Sequence, residues 1–179
     1  RRRGEIETKY ITIPTPARTM EELIERFRRA IAPRRKMVMM SHQINLTGQI
    51  LPVKAVCDIA RERNIPVMVD GARSFAQFDF KRDDIGCDYF GTSLHKWLLA
   101  PKGTGMLYVR RDKVKDLWPM FAAPEKMNDD IRKFEEIGTH SLAPYLAIGE
   151  AITFHNAIGA KRKEARLRYL KDYWAKKLM

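Results

Sequence analysis

Four short apolar runs constrain this chain more than any other feature: Met37-Val38-Met39-Met40, Val67-Met68-Val69, Tyr89-Phe90 and Met106-Leu107-Tyr108-Val109. They lack the apolar-polar alternation of a half-solvated strand, and Met37 to Met40 has the look of a strand covered on both faces. Helix-spaced segments separate them. Thr19-Met20-Glu21-Glu22 has the form of a capping box, after which Leu23, Ile24, Phe27 and Ile31 share one face until Pro33. Val53 to Arg63 repeats the spacing through Val53, Val56, Cys57 and Ala60, and Asn64 with Pro66 stops it. Upstream, Tyr10 to Ile13 is apolar and β-branched and closes at Pro14 and Pro16. From Ser141 the chain reads as helix: Pro144 suits a first turn, and Leu167, Leu170, Trp174 and Leu178 form a stripe that runs on to Met179.

Buried strands alternating with helices demand parallel pairing through right-handed crossovers. The expected fold is therefore α/β, a three-layer, mostly parallel sheet with flanking helices. Ligands in such sheets gather at the carboxyl ends of the strands. The polar residues to weigh are thus His42 to Asn45, Asp70 to Arg73 and Ser93 to Lys96.

Composition narrows the function classes. With 45% apolar and 31% charged residues over 179 positions, the chain is neither disordered, collagenous nor membrane-embedded. Its longest uncharged stretch, Met37 to Val53, holds His42, Gln43, Asn45, Gly48, Gln49 and Pro52 and does not suit a bilayer span. Cys57 and Cys87 make neither a disulfide framework nor a zinc site and read as core residues, which points to a reducing, cytoplasmic setting. No metal site is expected, since His140 and His155 lack partners at ligand spacing. The net charge of +12 invites a nucleic-acid reading. Its cations, however, lie dispersed beside acids, as in Glu25-Arg26-Phe27-Arg28-Arg29 and Lys161-Arg162-Lys163-Glu164, and read as solvated helix faces. The chain opens on Arg1-Arg2-Arg3-Gly4-Glu5, with no initiating Met and no apolar signal core; the expectation is a piece of a longer protein.

Two charges stand where solvation alone does not explain them. Asp70 closes a buried run, where a carboxylate is costly unless a cation or donor meets it. By itself it also suits a helix cap or a structural ion pair. Lys96 closes the next run between His95 and Trp97, an environment that favours Schiff-base chemistry. A buried Asp and a buried Lys on adjoining strand ends are what pyridoxal 5'-phosphate needs: one keeps the ring nitrogen protonated and the other carries the aldehyde as an imine.

With these residues stand Ser41-His42-Gln43-Ile44-Asn45-Leu46-Thr47-Gly48, Val69-Asp70-Gly71-Ala72, Ser93-Leu94-His95-Lys96-Trp97, Gly103-Thr104-Gly105 and Glu136-Ile137-Gly138-Thr139. In this order they resemble the class V aminotransferases, fold-type-I pyridoxal-phosphate enzymes, in their isopenicillin-N-epimerase-like and cysteine-desulfurase-like branch. The resemblance covers nearly the whole chain. It implies Lys96 as the Schiff-base lysine that also moves protons at Cα, and Asp70 as the partner of the pyridine nitrogen. It further implies Asn45 at the ring's phenolic oxygen, Ser93 and His95 at the phosphate, and Thr139 reaching the phosphate of the neighbouring subunit in a homodimer. His42 matches the motif with a structural role. Arg73 departs from the family, which has His or Gln there; a guanidinium can donate to the phenolic oxygen but cannot carry protons.

The family's phosphate loop and ring-stacking residue lie upstream of the matching region, and its substrate-carboxylate arginine lies downstream. Residues 1–179 are accordingly expected to be the central part of the large cofactor domain, with 141–179 leading toward a C-terminal small domain. The expected function is a pyridoxal-phosphate enzyme acting on an amino acid by transamination, epimerisation or elimination, the fragment being inactive alone. The alternative is a non-catalytic remnant or interaction module. Ser93-Leu94-His95-Lys96 also fits the serine-nucleophile pattern S-x-x-K, but that needs a helix where a strand is expected. Gly103-Thr104-Gly105 reads as a tight turn, the Asn45-Leu46-Thr47 sequon carries no weight without a signal sequence, Trp97 suits a pocket wall, and Trp118 and Trp174 read as packing residues.

Overall fold

The structure, a computed structural model, describes residues 6–178. The basic start Arg1-Arg2-Arg3 with Gly4 and Glu5, and Met179 at the end of the apolar stripe, lie outside the described residues. The elements run α1 (Met20–Ala30), β1 (Val38–Ser41), α2 (Val53–Glu62), β2 (Val67–Asp70), α3 (Arg82–Ile85), β3 (Tyr89–Ser93) and β4 (Gly105–Val109). Three 3-10 turns follow (Arg111–Asp116, Glu125–Met127, Ile131–Glu135), then α4 (Ala143–Leu146), α5 (Ile148–Ile158) and α6 (Ala160–Ala175).

The result is a mixed four-stranded sheet in the order β1-β2-β3-β4 with flanking helices. β1, β2 and β3 pair in parallel, Ser41 opposite Asp70 and Asp70 opposite Gly91. The sheet is thus mostly parallel as expected, and β4 is its antiparallel strand, paired with β3 with Ser93 opposite Gly105. The reason lies in the connection: residues 94–104 contain no helix, and a short turn can only return the chain antiparallel. Gly103, at φ 87°, makes that turn with Thr104, as its sequence suggested.

One face of the sheet carries Val38, Met40, Val67, Val69 and Phe90 into the main core, against Leu23 and Phe27 of α1 and Val53, Val56 and Cys57 of α2. Thr19 caps α1 as expected, accepting from the Glu22 amide at 3.1 Å, while Glu22 reaches back to the Arg18 amide rather than to Thr19. Ile11 and Ile13 pack on this core from an extended segment that forms no strand. The opposite face is covered only in part. Val114, Leu117 and Phe134 from the 3-10 segment pack on Tyr89, Val109 and Met68, whereas Met39 is 68% exposed, so β1 is not covered on both sides as its apolar run suggested. The α6 stripe and the tryptophans differ in the same direction: Leu170, Trp174 and Leu178 are exposed, and Trp118 is 93% exposed.

Two charges that the sequence reading passed over are built into the scaffold. Asp88, buried just before β3, accepts from the Val67 amide at 2.8 Å through Oδ2 and pairs with the Arg110 guanidinium at 2.7 Å through Oδ1. It thereby ties the starts of β2 and β3 to the end of β4. Lys133, 3% exposed, donates to the carbonyls of Val114 at 2.7 Å and Asn128 at 2.8 Å and closes the 3-10 segment. Replacing Asp88 orphans the Val67 amide and frees the Arg110 charge. Asp88→Ala is therefore expected to lower unfolding stability by about 2–3 kcal/mol in urea titration, and Asp88→Asn, which keeps the amide acceptor, by less.

Candidate active site

Asp70 is the last residue of β2, and its Oδ1 accepts from the Ala72 amide at 2.8 Å, which starts the turn at residues 72–77. That turn is held by Gly71. Its amide donates to the Gly91 carbonyl at 2.8 Å, and its carbonyl accepts from the Phe75 amide at 2.9 Å and the Thr92 hydroxyl at 3.3 Å. A Cβ at Gly71 would lie 2.0 Å from Cζ of Phe90, so no larger residue lets the turn sit this close to β3.

β3 ends at Ser93, and the chain turns at once through His95 and Lys96. The Leu94 amide donates to the Thr104 carbonyl at 3.1 Å, a nitrogen of the His95 ring lies 3.3 Å from the same oxygen, and the Leu99 amide donates to the Lys96 carbonyl at 3.2 Å. Beneath, Leu94, Leu98 and Ala100 pack with Ala151 of α5 and with Phe75 and Ala76 from the Asp70 turn. The two turns therefore share one small core. Asn45 lies in the loop after β1, so Asn45, Asp70, Arg73, Ser93, His95 and Lys96 all emerge at the carboxyl ends of three adjacent parallel strands. Thr139 stands apart, in the segment after the last 3-10 turn, and among the described residues no hydrogen bond ties it to the strand ends.

Burial corrects the expectation at both central residues. Asp70, Lys96 and Ser93 are half-buried, and Asn45, Arg73, His95 and Thr139 are exposed. Among the described residues, the buried carboxylate and the buried ammonium are Asp88 and Lys133, away from these turns. Among the described residues, Asp70 Oδ2, Lys96 Nζ and the Arg73 guanidinium have neither a hydrogen bond nor an ion pair. A free carboxylate oxygen and a free amine thus stand on neighbouring strand ends. Ser93 belongs to a strand and Lys96 to a turn, so the one-helical-turn spacing of a serine-lysine nucleophile does not form.

His42 takes the structural place its neighbours suggest. It is 5% exposed, its ring meets Phe78 and Phe80 edge-on at centroid distances of 5.2 and 4.7 Å, and its amide donates to the Asp70 carbonyl at 2.8 Å. Among the described residues, two cavities are lined by none of the expected site residues. One of about 450 Å³ is lined by Ile158, Arg162, Lys163 and Leu167, and one of about 100 Å³ sits beside Asp88 and Arg110.

The site also draws on residues that the sequence reading assigned to a solvated face. Lys163 Nζ donates to the Trp97 carbonyl, and Glu164 Oε2 accepts from the Asp79 amide at 2.9 Å. Their charge run gave no signal of this, because neighbouring acids and bases look alike whether they face water or a loop. Cys57 and Cys87 are buried as expected, and burial pushes the Cys57 thiol up to about 12.

Residues 5–179 match the family model for Aminotransferase class-V. An isopenicillin N epimerase of Amycolatopsis lactamdurans is 33% identical over 91% of this chain and 45% of its own length. A probable cysteine desulfurase of Xylella fastidiosa (strain Temecula1 / ATCC 700964) is 29% identical over 76% of this chain and 35% of its own. Among solved structures, SspA in complex with cysteine superposes with a TM-score of 0.58 at 27% identity, over 75% of this chain and 36% of that one. The chain spans less than half the length of these relatives.

The His42 geometry has a consequence for pH. Burial holds its pKa down at about 4, so the folded state resists the proton that the unfolded chain binds below about 6.5. Stability contributed by the neutral ring is complete above pH 6.5 and drains away as pH falls toward 4. Unfolding free energy is expected to drop by about 3 kcal/mol across that window. His42→Leu, measured by urea unfolding at pH 4.5 and 7.5, should remove most of the difference.

Proposed function

Because the chain belongs to the class V aminotransferase family, we propose that it is the central part of a pyridoxal-phosphate enzyme that works on an amino acid through Lys96 and Asp70. The observation that carries the reading is the pair of unpartnered groups, Asp70 Oδ2 and Lys96 Nζ, on adjacent parallel strand ends. The donor set fits the cofactor: a carboxylate for a protonated ring nitrogen, an amine for an aldehyde, and a hydroxyl and an imidazole for a phosphate. When bound, pyridoxal phosphate supplies an aldehyde that condenses with amines and a ring that accepts the electrons left at Cα.

The protein's own residues do the rest. Lys96 is the residue whose amine would hold the aldehyde and, when free, would take or return the proton at the substrate Cα. Asp70 would keep a proton on the ring nitrogen through Oδ2, and the Ala72 amide on Oδ1 orients the carboxylate. Asn45 and Arg73 would hold the phenolic oxygen, both as hydrogen-bond donors. Ser93 and His95 would bind the phosphate, joined by Thr139 from the other subunit of a homodimer. The names of the relatives support an amino-acid substrate, since one is an isopenicillin N epimerase, another a probable cysteine desulfurase, and a third is described with cysteine. Which of transamination, epimerisation or elimination follows depends on the groups that orient the substrate. In this reading a phosphate loop and a carboxylate-binding arginine lie in the parts of the relatives that the chain does not span, with 141–179 leading toward a small C-terminal domain, and 1–179 alone is inactive. Among the described residues no helix is long and apolar enough to cross a membrane. The buried free thiols Cys57 and Cys87 support a cytoplasmic setting.

Adding pyridoxal phosphate to the full-length protein should produce a visible absorption band that borohydride fixes onto Lys96, located by peptide mass. Lys96→Ala should abolish the band. Asp70→Asn should keep a trappable adduct but lower turnover by about 100-fold or more, because the ring no longer holds its proton. Absence of the band in the full-length protein would favour a non-catalytic remnant. Arg73→His tests the departure from the family, and unchanged cofactor affinity and turnover would show that the position is indifferent.

A further inference from the structure

Helix α6 has no buried residue, so apolar packing does not explain where it sits. It leaves α5 through Gly159 at φ 84° and reaches the strand-end turns with two successive side chains. Lys163 donates to the Trp97 carbonyl, one residue past Lys96. Glu164 accepts from the Asp79 amide at 2.9 Å, just past the turn that Asp70 starts. Arg168 holds Glu164 in place, donating through Nε to Oε1 at 2.8 Å. Lys163 is half-buried, its pKa is lowered by that burial, and among the described residues it has no carboxylate partner. A desolvated ammonium spent on a single carbonyl is costly unless the carbonyl needs holding.

We propose that Lys163 and Glu164 are positioning residues, a two-point clamp by which α6 holds the Lys96 turn in place against the Asp70 turn. This deepens the cofactor reading and rests on it for its catalytic consequence. The turns touch each other through Phe75, Ala76, Leu94 and Leu98, but those apolar contacts permit sliding. Directed hydrogen bonds to one carbonyl and one amide do not. Because both bonds start from one rigid helical turn, the offset between the two loops, and so between the Lys96 amine and the Asp70 carboxylate, follows from α6. Whatever moves α6 would then move the amine.

The test uses the full-length protein with Lys163→Met, which keeps the aliphatic stem and removes the donor, and Lys163→Arg, which restores a donor. Amide hydrogen exchange across residues 94–100 needs no cofactor. It should speed up about tenfold in Lys163→Met, with α2 and β1 unchanged, and return to within about twofold of wild type in Lys163→Arg. With pyridoxal phosphate, formation of the borohydride-trappable adduct at Lys96 should slow about fivefold or more in Lys163→Met, shift the pH midpoint of the visible band, and recover in Lys163→Arg. Wild-type exchange in Lys163→Met overturns the clamp. Faster exchange with unaltered adduct kinetics and pH midpoint also overturns it, because Lys163 would then only dock the helix. If wild type forms no adduct at Lys96, the cofactor reading fails by itself, and the exchange result still decides whether the clamp holds the turn.

Discussion

Everything at the strand ends depends on how closely Gly71 lies against the ring of Phe90. With only hydrogen where a Cβ would stand, the β2 exit comes near enough to β3 for the Gly71 amide to reach the Gly91 carbonyl and for Thr92 to reach Gly71. That contact sets the direction of the Asp70 side chain, because the Asx-type turn to Ala72 starts from the same point. It also fixes where Phe75 lands on the Lys96 turn. A single close approach thus couples two loops that are more than twenty residues apart in the chain.

Charge is distributed around this contact with a consistent logic. At the amino edge of the sheet, Asp88 is buried and fully engaged by Val67 and Arg110, and Lys133 is buried with two carbonyls, so both serve the scaffold. At the carboxyl edge, Asp70 and Lys96 are only half-buried, and among the described residues Asp70 Oδ2 and Lys96 Nζ have no partner. A buried charge with every partner in place is inert, whereas a partly solvated charge with a missing partner can receive a ligand. The α6 side chains add a third use, in which charged groups grip the backbone of the loops rather than a ligand.

Much of this was legible in the residues. The periodicity of Leu23, Phe27 and Ile31 and of Val53, Val56 and Cys57 reads as helix and forms α1 and α2, because an apolar stripe at 3.6-residue spacing can be buried in only one way. The runs at 38, 67 and 89 read as strands and form β1 to β3, and the polar residues after them stand together at one edge. A mostly parallel sheet is legible in the alternation of runs and helices, but which strand runs the other way is not, because apolar runs carry no sign of parallel or antiparallel pairing; β4 turns back after the helix-free connection at 94–104. The depth of Asp70 and Lys96 was overestimated for a related reason. Neighbours in sequence say how apolar a segment is, but not what covers it, and Met39 shows that a fully apolar run can still face water.

By itself, then, the sequence determined the element order, the main helical faces and the residue types at the strand ends, since these follow from local periodicity and from the chemistry of individual side chains. Only the tertiary structure decided which charges are buried, how the Asp70 and Lys96 turns are tied together, and that Lys163 and Glu164 of a seemingly solvated helix hold both. Those properties arise from contacts between segments far apart in the chain, where burial and hydrogen-bond geometry, rather than local pattern, set what each group can do.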